Sequence, residues 1–209
     1  MAALQHTARL LESLGHSVVQ ATLPVRLLEF LDATFDIIGT HTRGFLDMLG
    51  NMRGAPVMPE ELEPRTRVIL RERGQLPATR YIAAVEYMHA LGRTMAGFLQ
   101  EYDVILTPTL NRAPPRLGEL AFDDDSRSLK DFIELSHSYS PYTALFNATG
   151  QPAMSVPLYW TADGLPLGSH FVGRFGDERT LLSLARQLEN AQPWATRRPP
   201  VNACQRAMQ

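Results

Sequence analysis

The sequence predicts an α/β fold in which helices flank a mixed sheet, and three observations carry that prediction. Tyr139 to Glu189 reads as strand, hairpin, strand, helix. Tyr102 to Thr107 (YDVILT) is a short apolar run bounded by turn signals, the pattern of a strand buried on both faces and therefore placed centrally in a sheet. Between Ala78 and Tyr102 lies the longest helical periodicity of the chain.

Taken in order, Leu4, Ala8, Leu11 and Leu14 mark an amphipathic helix that Gly15 ends, with His16 placed to meet the helix dipole and SVVQATL following as a strand. From Pro24, Leu27, Leu28, Leu31, Phe35 and Ile38 keep one helical face, which GTHTRGFLDMLG continues. GNMRGAPVMPEELEP breaks it with turn-forming residues, and a short helix is expected near Arg65 to Arg73. In the long helix, Ile82, Val85, Met88 or His89, Met95 and Leu99 line one side as core filling. PTLNRAPPRLGELAFDDDSRS reads as a long loop, either a pocket wall or an exposed connector, and Asp131 to His137 as a short helix.

In the organising stretch, NATGQP supplies a turn and AMSVPLYW a strand. TADG then turns the chain into LPLGSHFVGR as the second strand. Asp177 is placed to accept the first-turn N–H groups of a last helix, whose Leu181, Leu184, Ala185 and Leu188 share a face.

The same stretch carries a resemblance. Asn147-Ala148-Thr149-Gly150-Gln151-Pro152-Ala153, Ser155-Val156-Pro157, Gly164-Leu165-Pro166-Leu167-Gly168 and the later Glu178, Leu181, Leu182 and Glu189 resemble the C-terminal signature of the amidase signature hydrolases. Leu10 to Pro24 and Glu101 to Leu120 extend the likeness over most of the chain. FNATGQPAMSVPLYW and FVGRFGDE are most similar to the 6-aminohexanoate-cyclic-dimer hydrolases within that family. The resemblance implies hydrolysis of carboxylic amides through an acyl-enzyme, without metal or cofactor. It also implies that residues 1–209 form the C-terminal portion of the family domain and that Met1 begins a truncated chain, because a helix like the first one lies well inside that domain.

The resemblance implies a serine nucleophile, a bridging serine in a cis peptide and a lysine base, the serines lying in a loop like GGSSGGS. This sequence has no such loop: none of its serines are adjacent, and none sits in a glycine run able to offer N–H groups to an oxyanion. Lys130 is the only lysine, and Asp123, Asp124, Asp125 and Asp131 beside it favour its charged form, so it reads as a solvated loop residue and not as a base. No catalytic residue is assigned, and the chain alone is expected to be inactive.

Candidate substrate-binding residues are Ser140, Tyr142, Thr143 and Asn147, with Gly150 beside them. The resemblance places this segment along the substrate cleft. In relatives acting on amino-acid amides an acidic residue that reads the substrate's ammonium stands where Ser140 stands here, which argues against a substrate held in that way. The alternative is structural: Asn147 and Gly150 shape a tight turn through their tolerance of positive φ, while Tyr142 and Thr143 pack.

Composition narrows the remaining classes. A net charge of −2 gives no electrostatic reason to expect nucleic acid or an anionic membrane. The lone Cys204 excludes an internal disulfide framework and fits a reducing compartment. The six histidines show no zinc spacing, Ser136-His137-Ser138 lacks the converged partners of a nucleophilic site, and no phosphate-binding glycine motif is present. With neither a basic leader nor a run of about 18 apolar residues, a soluble cytoplasmic protein is expected. A family domain cut between elements exposes unpaired strand edges, so the expected partners are a second copy, as a homodimer or larger homo-oligomer, or a polypeptide carrying the complementary N-terminal half. A non-catalytic remnant serving as an interaction module is the alternative function.

Overall fold

The computed structural model describes residues 2–120, 122 and 124–197, and the predicted Cys204 tail lies outside them. Seven α-helices and three strands are described: α1 Ala2–Ser13, α2 Leu27–Arg53, α3 Pro64–Arg73, α4 Ala78–Phe98, β1 Val104–Pro108, α5 Leu129–Tyr139, α6 Thr143–Thr149, β2 Ala153–Trp160, β3 Pro166–Gly173 and α7 Glu178–Ala191. The strands form a sheet in the order β1-β3-β2, and both pairings are antiparallel.

β3 is the axis of this sheet, with Ser169 to Gly173 buried throughout. Alternation sends Ser169 and Phe171 to one face, where Phe171 packs with Leu11 of α1 and Leu181, Leu184 and Leu188 of α7. On that face Thr7 Oγ1, fully buried, meets Ser169 Oγ at 2.7 Å. His170 and Val172 take the other face, where Val172 and Ile105 join Phe30, Leu31, Leu91, Met95, Leu99, Leu145 and Phe146 of α2, α4, α6 and the α4 terminus. A smaller cluster of Val68, Ile69, Leu129 and Phe132 joins α3 to α5.

Turn and cap chemistry behaves as predicted along the organising stretch. Gly164 takes φ 79° in the TADG turn, and Asp177 Oδ1 accepts from Thr180 N at 3.3 Å at the start of α7. The β2–β3 register slips between Val156 and Tyr159, where Pro157 has no N–H to give to the ladder. Ser128 and Asp131 form a reciprocal cap that starts α5 two residues earlier than the sequence suggests.

Several expectations are corrected. SVVQATL is not a strand: among the described residues no strand pairs with it, and Val19 is exposed. β1 is an edge strand of the described sheet, not a central one, because only β3 pairs with it. NATGQP is not wholly a turn, since Asn147 to Thr149 complete α6 and only Gly150, at φ 78°, is left-handed. Lys130 is solvated as expected, but on α5 and not in a loop, with Glu134 3.8 Å away. His16 ends in a side-chain contact with Gln187 at 2.9 Å.

The long segment after β1 is exposed over most of 110–119, as a connector would be, and its acidic end is tied to α3. Arg67 donates to Asp125 at 2.6 Å, while Arg71 donates to the carbonyls of Asp125 and Arg127 at 2.8 and 3.0 Å. Arg53 at the end of α2 similarly clasps Glu61 through two bonds of 2.6 and 2.7 Å. Those bonds, with one from the Met58 N–H, hold the Glu61 carboxyl down at about 2.

The buried face of α2 is rotated from the predicted one, while that of α4 largely follows it. On α2 the buried positions are Phe30, Leu31, Ala33, Asp36 and Gly39, while Leu28 is 81% exposed. On α4 the predicted Met95 and the following Leu99 are buried and Met88 packs against them, with Ala84 and Leu91 beside them, while Ile82 faces outward. Gly39 explains part of the α2 rotation, since a Cβ there would lie 2.4 Å from the Arg73 Cβ. Asp36 explains the rest: its side chain is 4% exposed and receives Arg73 at 2.7 Å and Arg80 at 2.6 Å, joining α2 to α3 and α4. Replacing Asp36 removes the buried carboxylate and its two charge-assisted hydrogen bonds and leaves Arg73 and Arg80 only Asp32, so Asp36→Ala should cost about 2 kcal/mol. The half-exposed Asp32, which meets the same arginines, should cost less than about 1 kcal/mol when replaced by Ala. Urea denaturation of the two variants measures the contrast.

Candidate functional site

α6 is a two-turn helix whose first residue follows the kink at Pro141 and whose last carbonyls are closed by left-handed Gly150. A Cβ at Gly150 would come 3.2 Å from the ring of the exposed Phe175, which would have to shift slightly, so it is the left-handed φ of 78° that favours glycine there. Thr143 and Asn147 stand four residues apart on one face of α6 and line a cavity of about 520 Å³ together with Gln151 and His170. Ala144, Phe146, Gly150 and Ala153 complete the wall, and none of these eight residues is acidic, lysine or arginine.

The four predicted site residues do not all meet. Tyr142 lines a separate apolar hollow of about 100 Å³ with Leu23, Val25, Leu27, Phe30, Pro141 and Leu145. Ser140 lines neither space, its hydroxyl lying 3.1 Å from Thr143 Oγ1 at the start of α6. Thr143 and Asn147 thus form the cavity wall, Ser140 braces Thr143 from outside, and Tyr142 belongs to the neighbouring hollow.

His170 and Gln151 belong to the cavity and were not singled out as binding residues. Gln151 is 7% exposed and its Oε1 accepts from the Thr149 hydroxyl. His170 is 4% exposed, stands against the Phe146 ring at 5.6 Å, and holds Thr107 Oγ1 at 2.9 Å through Nδ1. The alternation of LPLGSHFVGR could have found it, since it sets His170 on the face opposite Phe171, the side that α6 approaches. Next to it the Thr109 and Ser155 hydroxyls meet at 2.6 Å across Gly168, where a Cβ would lie 2.5 Å from both.

This arrangement is a neutral, partly polar recess and holds no nucleophile assembly. Ser155 pairs with Thr109, Ser169 with Thr7, and Ser138 donates to the Leu135 carbonyl. His137 Nε2 is buried without a partner among the described residues. Also among the described residues, no group of three or more His, Cys, Asp or Glu is placed to hold a metal, and no helix is long and apolar enough to cross a membrane.

Burial lowers the pKa of both His170 and His137 from the ordinary 6.5. Below that value the unfolded chain takes up protons that the folded chain resists, so stability is fully present above about pH 6.5 and declines as pH falls through the lowered values. The urea midpoint should therefore be lower at about pH 5.5 than at about pH 7.5, and His170→Gln should reduce the difference.

The chain has counterparts among known proteins in sequence and in fold. The Amidase family model matches residues 1–182. The AmiB2 protein of Mycobacterium tuberculosis is 34% identical over 203 residues, covering 97% of this chain and 41% of that protein. The 6-aminohexanoate-cyclic-dimer hydrolase of Paenarthrobacter ureafaciens is 31% identical over 205 residues, covering 95% of this chain and 41% of that enzyme. A solved structure of 6-aminohexanoate cyclic dimer hydrolase superposes with a TM-score of 0.86 at 29% identity, over 95% of this chain and 42% of that one. This chain thus spans about two-fifths of the length of the relatives it matches, and over that span, in sequence and in fold, it belongs to the amidase family.

Proposed function

We propose that this chain supplies sheet core and one wall of the substrate cleft of a carboxylic amide hydrolase acting on non-peptide C–N bonds in the cytoplasm. The observation that carries the reading is the pairing of a family match across 41% of the relatives' length with a sequence that has no adjacent serines. The family's nucleophile loop and lysine base have no counterpart in these residues, so turnover requires further residues, on the same or another polypeptide. The uncharged wall formed by Thr143, Asn147, Gln151 and His170 suits an uncharged acyl portion, and Ser140 offers no charge to hold an ammonium group. No metal or cofactor enters this reading.

Residues 1–209 purified alone should show no turnover of aliphatic or aryl amides, nylon oligomers included. Co-expression with a polypeptide carrying the family's N-terminal half should restore amide release by completing the sheet and cleft. Turnover by the chain alone that survives repurification and is lost in Ser140→Ala or Ser155→Ala would overturn the proposal. Stable association without activity would show that this half no longer shapes a competent cleft.

A second reading, self-association of a non-catalytic module, is favoured by the sheet edges. β1 and β2 are both outer strands, and an unpaired strand edge is a template for another chain. Gln192 Nε2 caps the Leu158 carbonyl of β2 at 2.6 Å, which leaves β1 as the more available edge. A two-fold dimer through β1 would show as a doubled mass in light scattering and as hydrogen-exchange protection of Val104 to Thr107 that falls on dilution. A monodisperse monomer at micromolar concentration excludes it.

A further inference from the structure

We infer that the imidazole of His170 is a hydrogen-bond donor built to receive an uncharged carbonyl oxygen in the cavity beside α6, which makes it a specificity-determining residue for neutral amide groups. Choosing amides among neutral acceptors rests on the amide-hydrolase reading above; the donor itself rests on the geometry.

Thr107 is buried, and its hydroxyl has a single partner among the described residues, His170 Nδ1 at 2.9 Å. Two tautomers fit that distance. If Nδ1 carried the proton, Thr107 would accept it, leaving its own O–H buried without an acceptor and Nε2 bare. If Thr107 donates to Nδ1, its hydroxyl proton is used and the ring proton sits on Nε2. An unsatisfied buried donor is the costlier fault, so the second arrangement is favoured.

Nε2–H then has no partner among the described residues, although His170 is 96% buried. It is not one of the sealed, unpartnered buried atoms, so its outlet is the cavity that His170 lines. The surroundings define the acceptor. With no charged side chain on the wall, a carboxylate entering there would lose hydration without gaining a counter-ion, and an ammonium group would meet a donor. A neutral carbonyl accepts the hydrogen bond at no such cost, while Phe146, Ala144 and Ala153 offer apolar contact to the methylene groups beside it. Burial, which opposes a second proton on the ring, keeps the donor neutral.

The test uses the purified chain with ¹⁵N-labelled histidine and hexanamide as probe, with hexanoate and hexylammonium as charged counterparts. His170 should show the Nε2–H tautomer. Hexanamide should shift its Nε2 resonance saturably, and the two ions should not. His170→Phe should weaken hexanamide binding about fivefold, the loss of one hydrogen bond, and His170→Gln, which keeps a donor, should retain it. An Nδ1–H tautomer, no shift of His170 up to the solubility limit of hexanamide, or equal binding by the Phe variant would overturn the inference. So would equal shifts with all three probes, which would mean that water alone occupies the site. If His170→Phe fails to fold, the probe contrast in the unsubstituted chain decides. Binding without turnover in the complemented assembly counts against the amide-hydrolase reading alone. Turnover there whose KM is unaffected by His170→Phe, with the fold intact, counts against this inference alone.

Discussion

The structure depends on the need to cover β3 from both sides. Five consecutive residues, Ser169 to Gly173, are buried, so neither face of the strand can be left to water. Phe171 forces α1 and α7 onto one face, and each such large side chain contributes about 2 kcal/mol when buried. Val172 calls for α4 and α6 on the other, with α2 packed behind them. The polar members of the strand then set where chemistry can occur. Ser169 is satisfied by Thr7 inside the α1 layer, whereas His170, one residue on, is satisfied by Thr107 on one nitrogen only. One strand thus separates a closed apolar layer from a layer with a polar opening.

Much of this frame is legible in the sequence because each local signal agrees with the fold that results. Asp177 caps α7, TADG turns the hairpin, and Leu181, Leu184 and Leu188 of α7 face the sheet as their spacing predicts. What is not legible has identifiable causes. The buried face of α2 contains Asp36 and Gly39, so a count of apolar residues selects the wrong side of the helix. Burial of Asp36 becomes intelligible only once Arg73 and Arg80, which are distant in sequence, are known to converge on it. SVVQATL has the composition of a strand but no ladder to join, and strand formation depends on partners more than on propensity. β1 reads as central because it is largely apolar, yet that composition describes cover on its faces and says nothing about neighbours at its edges.

The candidate site was half legible for similar reasons. Thr143 and Asn147 are grouped in the sequence only through the family resemblance, and the helix that puts them on one face is not legible because the residues around Asn147 read as a turn. Tyr142 is adjacent in sequence but rotated by about 100° around the helix start, and it falls into a different hollow. His170 lies 23 or more residues away from either in the chain, and only the crossing of α6 over the sheet brings it in. Its role depends on Thr107, from a third segment, so no local pattern could have disclosed it.

The distribution of charge separates the parts of the molecule that hold it together from the recess proposed to receive a ligand. Arginine and carboxylate side chains join α2, α3 and α4 through Asp36 and Asp32, close the α2 terminus through Glu61, and fasten the acidic segment through Asp125. Arg174 likewise donates to the Leu99 carbonyl at 2.8 Å, tying the end of β3 to the end of α4. None of these charges lies on the wall of the recess beside α6. An ionic group there would dominate any ligand's orientation through its long-range field, whereas short-range donors and acceptors discriminate only what comes within bonding distance. On the proposed function, a neutral wall on this side leaves charge stabilisation of a reacting amide to groups outside it and reserves the recess for reading shape and hydrogen bonds. That division of labour is consistent with a chain that matches its relatives over two-fifths of their length and carries no serine pair of its own.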